Sequence, residues 1–302
     1  MTVIAPRRRR RSIAPYALLI PTVVVLLLAM GYQLVWQLIT SLQKFGLAQQ
    51  FGQPAVFVGL GNYISLATDP YLWTVVGRSL LFCFAAAALT MAVGTLLALL
   101  MRVLPTVVRV ILQIALLLAW AMPVVAAMTV WNWLFDWRRG VVNWLLSAVG
   151  LPFQQHNWLQ SPLSFYFVAV VIVVWMSVPF VAFSLFAGLT QVPDEVLEAA
   201  QMDGASPAQR FWRITVPIIR PIISIILLLQ VIWDLRVFTQ IKLLQDAGSV
   251  ASETNLLGTY IYQLGAGSSD FGTASAVSIF VLVLTVGISA FYIRAMLKED
   301  AA

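Results

Sequence analysis

The sequence predicts an all-α integral membrane protein, a bundle of about six transmembrane helices with both termini on the cytoplasmic side. Three observations predict it. Of the 302 residues, 61% are hydrophobic and 10% charged, with mean hydropathy +0.91, far from the usage of soluble domains. The apolar residues fall in runs of about 20 to 25, longer than buried strands and matched to the hydrocarbon when helical. Lysine and arginine are shared unequally between alternate connections.

The runs place spans at about 14–38, 74–100, 108–134, 163–188, 217–238 and 273–296. The first has Pro15 and Pro21 near its start, where missing backbone donors cost little. A cleaved signal peptide is the competing account of this end, with Arg7 to Arg11 as basic region and Ile20 to Met30 as apolar core. The stretch runs on through Val35 and Trp36 without a small-x-small cleavage site, which favours an uncleaved span. In the second span, Ala88, Ala92, Gly94 and Ala98 recur at near four-residue intervals, which suits close helix packing. Cys83, the single cysteine, lies in the same span; it excludes an intrachain disulfide and reads as a small packing residue. The spans use most of the chain, so a single membrane domain over 1–302 is expected, with a basic cytoplasmic segment at 1–13.

With the N-terminus inside, the cytoplasmic set is Arg7 to Arg11, Arg102, Arg109, Arg210, Arg213, Arg220, Arg294 and Lys298; the outer set is Lys44, Arg78, Arg138, Arg139, Arg236 and Lys242. Twelve against six supports N-in and C-in. Arg138-Arg139 is the local violation, preceded by Asp136. The same map accounts for the net charge of +6, so a nucleic-acid partner is not expected.

Between the fourth and fifth spans the composition turns polar, from Gln191 to Pro221. Pro193 suits a first helical position, and Asp194 and Glu195 complement the dipole of a helix starting there. Gly204 suits the end of that helix, and Ser206-Pro207-Ala208-Gln209 reads as a capping box opening a second one. Ala199, Ala200 and Ala205 leave little bulk around the turn, so a foreign surface can approach the backbone, with Glu198 and Asp203 supplying charge. A solvated connector is the plain alternative.

Glu198-Ala199-Ala200, two residues, then Asp203-Gly204-Ala205, followed by Phe211, Ile214, Pro217 and Pro221, resembles the EAA loop of binding-protein-dependent ABC importer permeases. The resemblance implies that 191–216 forms coupling helices that dock into a cleft on a separate ATPase subunit, through Glu198, Ala199, Ala200, Asp203, Gly204, Ala205, Phe211 and Pro217. Val58-Gly-Leu-Gly-Asn-Tyr63, Asp69-Pro70, Trp233-Asp-Leu-Arg-Val-Phe238, Glu253-Thr254, Tyr260-Ile-Tyr262 and Phe271-Gly-Thr-Ala-Ser-Ala276 are similar to the carbohydrate-uptake, maltose-type branch, and within it to the trehalose-importing permeases of mycobacteria. Two departures concern the outer face: Gln245-Asp-Ala-Gly-Ser249 stands where the branch often has a Thr-Gly-Gly-Gly-Pro turn, and Arg78-Ser79 replaces its usual Asn-Thr.

The resemblance implies a sugar as cargo, such as the disaccharide trehalose, delivered by an extracytoplasmic solute-binding lipoprotein. It also implies a second homologous permease subunit, two ATP-binding subunits that hold ATP and Mg, and a place in the bacterial cytoplasmic membrane, in contact with lipid. Sugars are held by hydrogen-bonding side chains and flat aromatic faces. Gln230, Trp233 and Asp234 on the fifth span, with Trp175 on the fourth, are therefore the candidates for the substrate path. The alternative places Asp234 and Arg236 in water at the end of the span, with Trp233 as an interface anchor.

Other classes fare worse. His156 is the only histidine, so neither a histidine metal cluster nor a Ser-His-Asp arrangement can form. No G-x-x-x-x-G-K-[ST] is present, so no phosphate-cradling loop and no cofactor site are expected in this chain. A permease for another small solute remains open, as does an ion-driven carrier, although only Asp234 supplies a carboxylate near a span interior.

Overall fold

The computed structural model describes residues 14–299; the run Arg7 to Arg11 lies outside the described residues. In chain order the elements are α1 (Ala14–Leu26), α2 (Tyr32–Ser41), β1 (Gln43–Lys44), α3 (Leu47–Gln50), β2 (Val56–Phe57), α4 (Gly61–Thr68), α5 (Pro70–Val103), α6 (Thr106–Ala121), α7 (Val124–Leu134) and α8 (Val141–Ala148). There follow α9 (Pro162–Leu189), α10 (Asp194–Met202), α11 (Pro207–Arg210), α12 (Val216–Leu235), α13 (Thr239–Asp246), α14 (Ala251–Thr254), α15 (Leu257–Tyr262) and α16 (Phe271–Glu299). The strands form one antiparallel ribbon, Gln43 opposite Phe57.

Five stretches are long and apolar enough to cross a membrane: Leu19–Ser41, Pro70–Val103, Pro162–Leu189, Pro207–Asp246 and Phe271–Arg294. The block expected as one span over 108–134 is α6 and α7, bent by 100°. Pro123 causes the break. It offers no N–H and drives the preceding residue out of the helical region, and Met122 accordingly sits at φ −68°, ψ 127°. The fifth span starts earlier than expected, because α11 runs through a wide turn at Phe211–Thr215 straight into α12.

The described residues form two compact units, 14–66 with 264–279 and 67–263 with 280–299. In the first, the Asn62 amide donates to the carbonyls of Ser41 (2.8 Å) and Gln43 (3.0 Å), and the Ser41 and Tyr63 hydroxyls lie 2.7 Å apart. The Gly272 N–H donates to Phe45 O, and a Cβ at Gly272 would lie 2.4 Å from Gln43 O. Asn62 and Gly272, both from stretches that carry the sugar-branch resemblance, thus close one backbone clasp.

In the second unit α5 and α9 pack along their length, with α12 against both. The contact is close at Gly94, where a Cβ would lie 2.5 Å from Val181 Cγ1. The buried stripe of α5 is Cys83, Ala87, Thr90, Gly94, Ala98 and Met101. Ala88 and Ala92 are exposed: at 100° per residue they lie roughly 120° and 160° from Gly94, so the small-residue pattern is real only in its second half. Among the described residues, one apolar cluster is centred on Phe165, Ile172 and Ile241 and another on Leu185, Leu189 and Ile219.

Candidate functional site

The polar connection is built from its ends. Pro193, expected at the first helical position, is instead the cap residue one position before it, and Asp194 and Glu195 occupy the first turn of α10. At the other end Gly204 has φ +81°, its N–H donates to Gln201 O (3.0 Å), and the Ala205 N–H donates to Ala200 O (2.9 Å). Those two bonds, from the first and second residues past the cap back to the second- and third-last helical carbonyls, define a Schellman turn. The Ala-Ala and Asp-Gly-Ala of the sequence pattern are therefore the parts of one helix stop.

The next helix is capped as expected. Ser206 N–H donates to Gln209 Oε1 (2.8 Å), and Gln209 N–H donates to Ser206 Oγ (3.3 Å). The second helix is not free-standing, however, since its residues continue into the fifth span. Arg210 reaches back to Gln201 Oε1 (2.8 Å) and Arg102, at the end of α5, bonds Asp194 Oδ1 (2.9 Å). The latter pair is largely exposed, worth well under about 1 kcal/mol, so it orients α10 more than it stabilises it.

Of the expected docking residues, Glu198, Ala199, Asp203, Gly204 and Pro217 are exposed, while Ala200, Ala205 and Phe211 are half-buried. No residue of α10 is fully buried; only Leu197 leans on the Leu185–Ile219 cluster. Sequence reasoning missed Met202, 87% exposed at the end of α10, and Trp212, 67% exposed where α11 runs into α12, which leave apolar surface on this polar connection. Their signal was present: a large apolar residue in a segment too polar to bury it.

At the end of the fifth span Gln230 and Asp234 do share a face, but it points into the chain. They are 0% and 3% exposed, and the Gln230 amide nitrogen lies 3.0 Å from both Asp234 oxygens. Asp234 is therefore not a solvated interface group, whereas Arg236 is exposed. Trp233 is half-exposed and meets Phe180 edge-on at 5.1 Å. Trp175 meets Trp131 at 5.6 Å and has no ring contact with Trp233. Four candidates that were grouped by sequence are thus split between an interior pair and two separate aromatic positions.

The departures from the sugar-branch pattern come together on one segment. Ser79 Oγ accepts from the Leu257 N–H (2.8 Å) and Arg78 donates to Ser252 O (3.1 Å). Gln245 donates to Thr254 Oγ1 (3.3 Å) and Asn255 Oδ1 (3.1 Å). Residues distant in sequence thus converge on the 252–257 segment, which no single-sequence pattern reveals. Among the described residues no group of three His, Cys, Asp or Glu could hold a metal ion.

Comparison with known proteins agrees with this architecture. The family model described as "binding-protein-dependent transport system inner membrane component" matches residues 91–298. The diacetylchitobiose uptake system permease protein DasB of Streptomyces coelicolor is 39% identical over 293 residues, covering 97% of this chain and 89% of its own. The trehalose/maltose transport system permease protein MalF of Thermococcus litoralis is 33% identical over 240 residues, 79% of each chain. In fold, the chain is similar to one from a bacterial ABC transporter involved in the import of the acidic polysaccharide alginate, with TM-score 0.79, 24% identity and coverage of 94% and 95%. From the motif, the helical architecture and these matches together, the chain belongs to the family of binding-protein-dependent transport system inner membrane components.

Proposed function

We propose that this chain is the membrane-spanning permease of an ATP-driven importer that takes up a sugar, a disaccharide such as trehalose. The observation that carries the proposal is the exposed helix α10, locked by the Gly204 turn and fused through α11 to the fifth span. A motor outside the membrane can drive a bundle only through a rigid element whose two positions both partners share. Glu198, Ala199, Ala200, Asp203, Gly204 and Ala205 form the surface gripped by the motor, and Phe211 and Pro217 carry its movement into α12. ATP and Mg are held by two partner ATPase subunits and none by this chain, which is a transport subunit and not an enzyme.

A second, homologous permease completes the pore, and an extracytoplasmic solute-binding lipoprotein delivers the sugar. The whole chain, 1–302, acts as one permease domain in the bacterial cytoplasmic membrane, N-in and C-in, with 191–216 on the ATPase side. Trp233 is the fifth-span residue offered to sugar; Gln230 and Asp234 stand behind it and hold the end of the helix. Trp175 contributes a second aromatic wall.

A second reading of the cargo is diacetylchitobiose, favoured by the 39% identity to a permease named for its uptake. Proteoliposomes of the purified complex, loaded with ATP, distinguish the two. Uptake of labelled trehalose that unlabelled diacetylchitobiose fails to inhibit supports the first. Uptake of either sugar without ATP, or purification without any ATPase subunit, would overturn the importer reading itself.

A further inference from the structure

We infer that the connection between α7 and α9 holds the phosphodiester of an anionic phospholipid on the outer side of the membrane, in a pocket of about 440 Å³ built around Arg138, Arg139 and α8. This pair is the one violation of the inside-positive charge pattern, and the structure shows what the charges do there. Asp136 does not neutralise them side chain to side chain. Its Oδ1 instead accepts the backbone N–H groups of Arg138 (3.0 Å) and Arg139 (2.7 Å). The Arg138 guanidinium carbon lies over the Trp137 ring, 4.4 Å from its centroid. Among the described residues neither guanidinium has an ion pair or a side-chain hydrogen bond, so their fork-like donors remain available to a phosphate.

The pocket is shaped for such a group. Gly140 closes a turn so tight that a Cβ would lie 2.3 Å from Asp136 O, and α8 starts directly after it, bringing the positive end of a helix to the pocket wall. On the same wall the Ser147 hydroxyl is buried without a partner. The rest of the lining is mixed: Trp137, Val141 and Trp144 are apolar, with Trp144 68% exposed, and Asn143, Gln154 and Gln155 are polar. Two arginines beside two indoles, Trp137 and Trp144, suit the headgroup boundary, where tryptophan rings sit among the headgroups and guanidinium groups meet phosphates. An acidic side chain of a soluble partner would match the charges but leave the exposed Trp144 indole uncovered.

The test reads bound lipid rather than transport, so it is independent of the importer proposal. The purified complex is reconstituted in nanodiscs of phosphatidylcholine mixed with phosphatidylglycerol, extracted, and its retained lipids quantified by mass spectrometry. The wild type should retain phosphatidylglycerol selectively, and R138Q/R139Q should lose roughly 30-fold of that preference, as two basic charges at an anionic surface provide. R138K/R139K, which keeps the charge but loses the planar fork, should retain a preference between those of the wild type and R138Q/R139Q and serves as the folding control. A preference in R138K/R139K no higher than in R138Q/R139Q, or an undiminished preference in R138Q/R139Q, would overturn the site. So would displacement of the lipid by millimolar inorganic phosphate, which marks a free-phosphate site. Weakened capture of the solute-binding protein by R138Q/R139Q in pure phosphatidylcholine, with lipid retention unchanged, would assign the arginines to a protein contact instead.

Discussion

Replacing Gly204 separates what the backbone demands of the α10 turn from what a partner surface demands. Its φ of +81° lies in the left-handed region, where an L side chain costs about 1–2 kcal/mol. An added Cβ would meet nothing within 4 Å, so in this chain alone the cost is conformational and not steric. One to two kcal/mol shifts a local equilibrium about 5- to 30-fold. Gly204→Ala should therefore lower ATP-driven sugar uptake in proteoliposomes by roughly that factor at saturating sugar, if the locked turn is what the motor grips. The turn is exposed and remote from the packed core, so the thermal midpoint of the membrane bundle should not move. Gly204→Asn, which tolerates left-handed angles better, should recover much of the loss. Gly204→Asp should do worse than Gly204→Asn by adding charge at the docking face. Wild-type uptake in Gly204→Ala, or an asparagine variant as impaired as the alanine one, would refute the backbone reasoning.

Three further outcomes are expected. Gly94→Ala places a methyl against Val181 and should destabilise the bundle by about 1–3 kcal/mol in thermal unfolding, with recovery in the double variant Gly94→Ala/Val181→Ala. Ser206→Ala removes one arm of the capping box, worth about 1 kcal/mol; uptake should fall modestly while amounts of folded protein stay constant on size exclusion. Asp234→Ala leaves the buried Gln230 amide without its partner and should cost about 1–3 kcal/mol of stability, whereas Trp233→Ala should raise KM for sugar more than it changes the melting temperature. A Trp233→Ala protein with unchanged KM would remove this residue from the path.

The comparison of sequence with structure turns on how far apart the interacting residues are. Spans of hydrophobic length, the Pro-Asp-Glu start of α10, the glycine at its end and the Ser-x-x-Gln cap after it were all readable, because each depends on residues within about one helical turn of each other. The kink at Pro123 was readable in principle by the same local rule, and was missed because hydropathy over 108–134 is continuous across it.

What the sequence by itself determined is the membrane class, the position of the apolar blocks and the exposed polar connection around α10. Local backbone chemistry and the price of polar groups in lipid leave few alternatives for those. Only the tertiary structure decided that Gln230 and Asp234 face inward while Trp233 does not. It alone showed that Ser79 and Gln245 bond the same 252–257 segment, and that Gly94, not Ala88 or Ala92, sets the α5–α9 approach. The reason is physical: a helix fixes which residues share a face, but which face meets a neighbour depends on the rotation of each helix against the others. That rotation is set by packing between residues more than 80 positions apart, such as Gly94 and Val181.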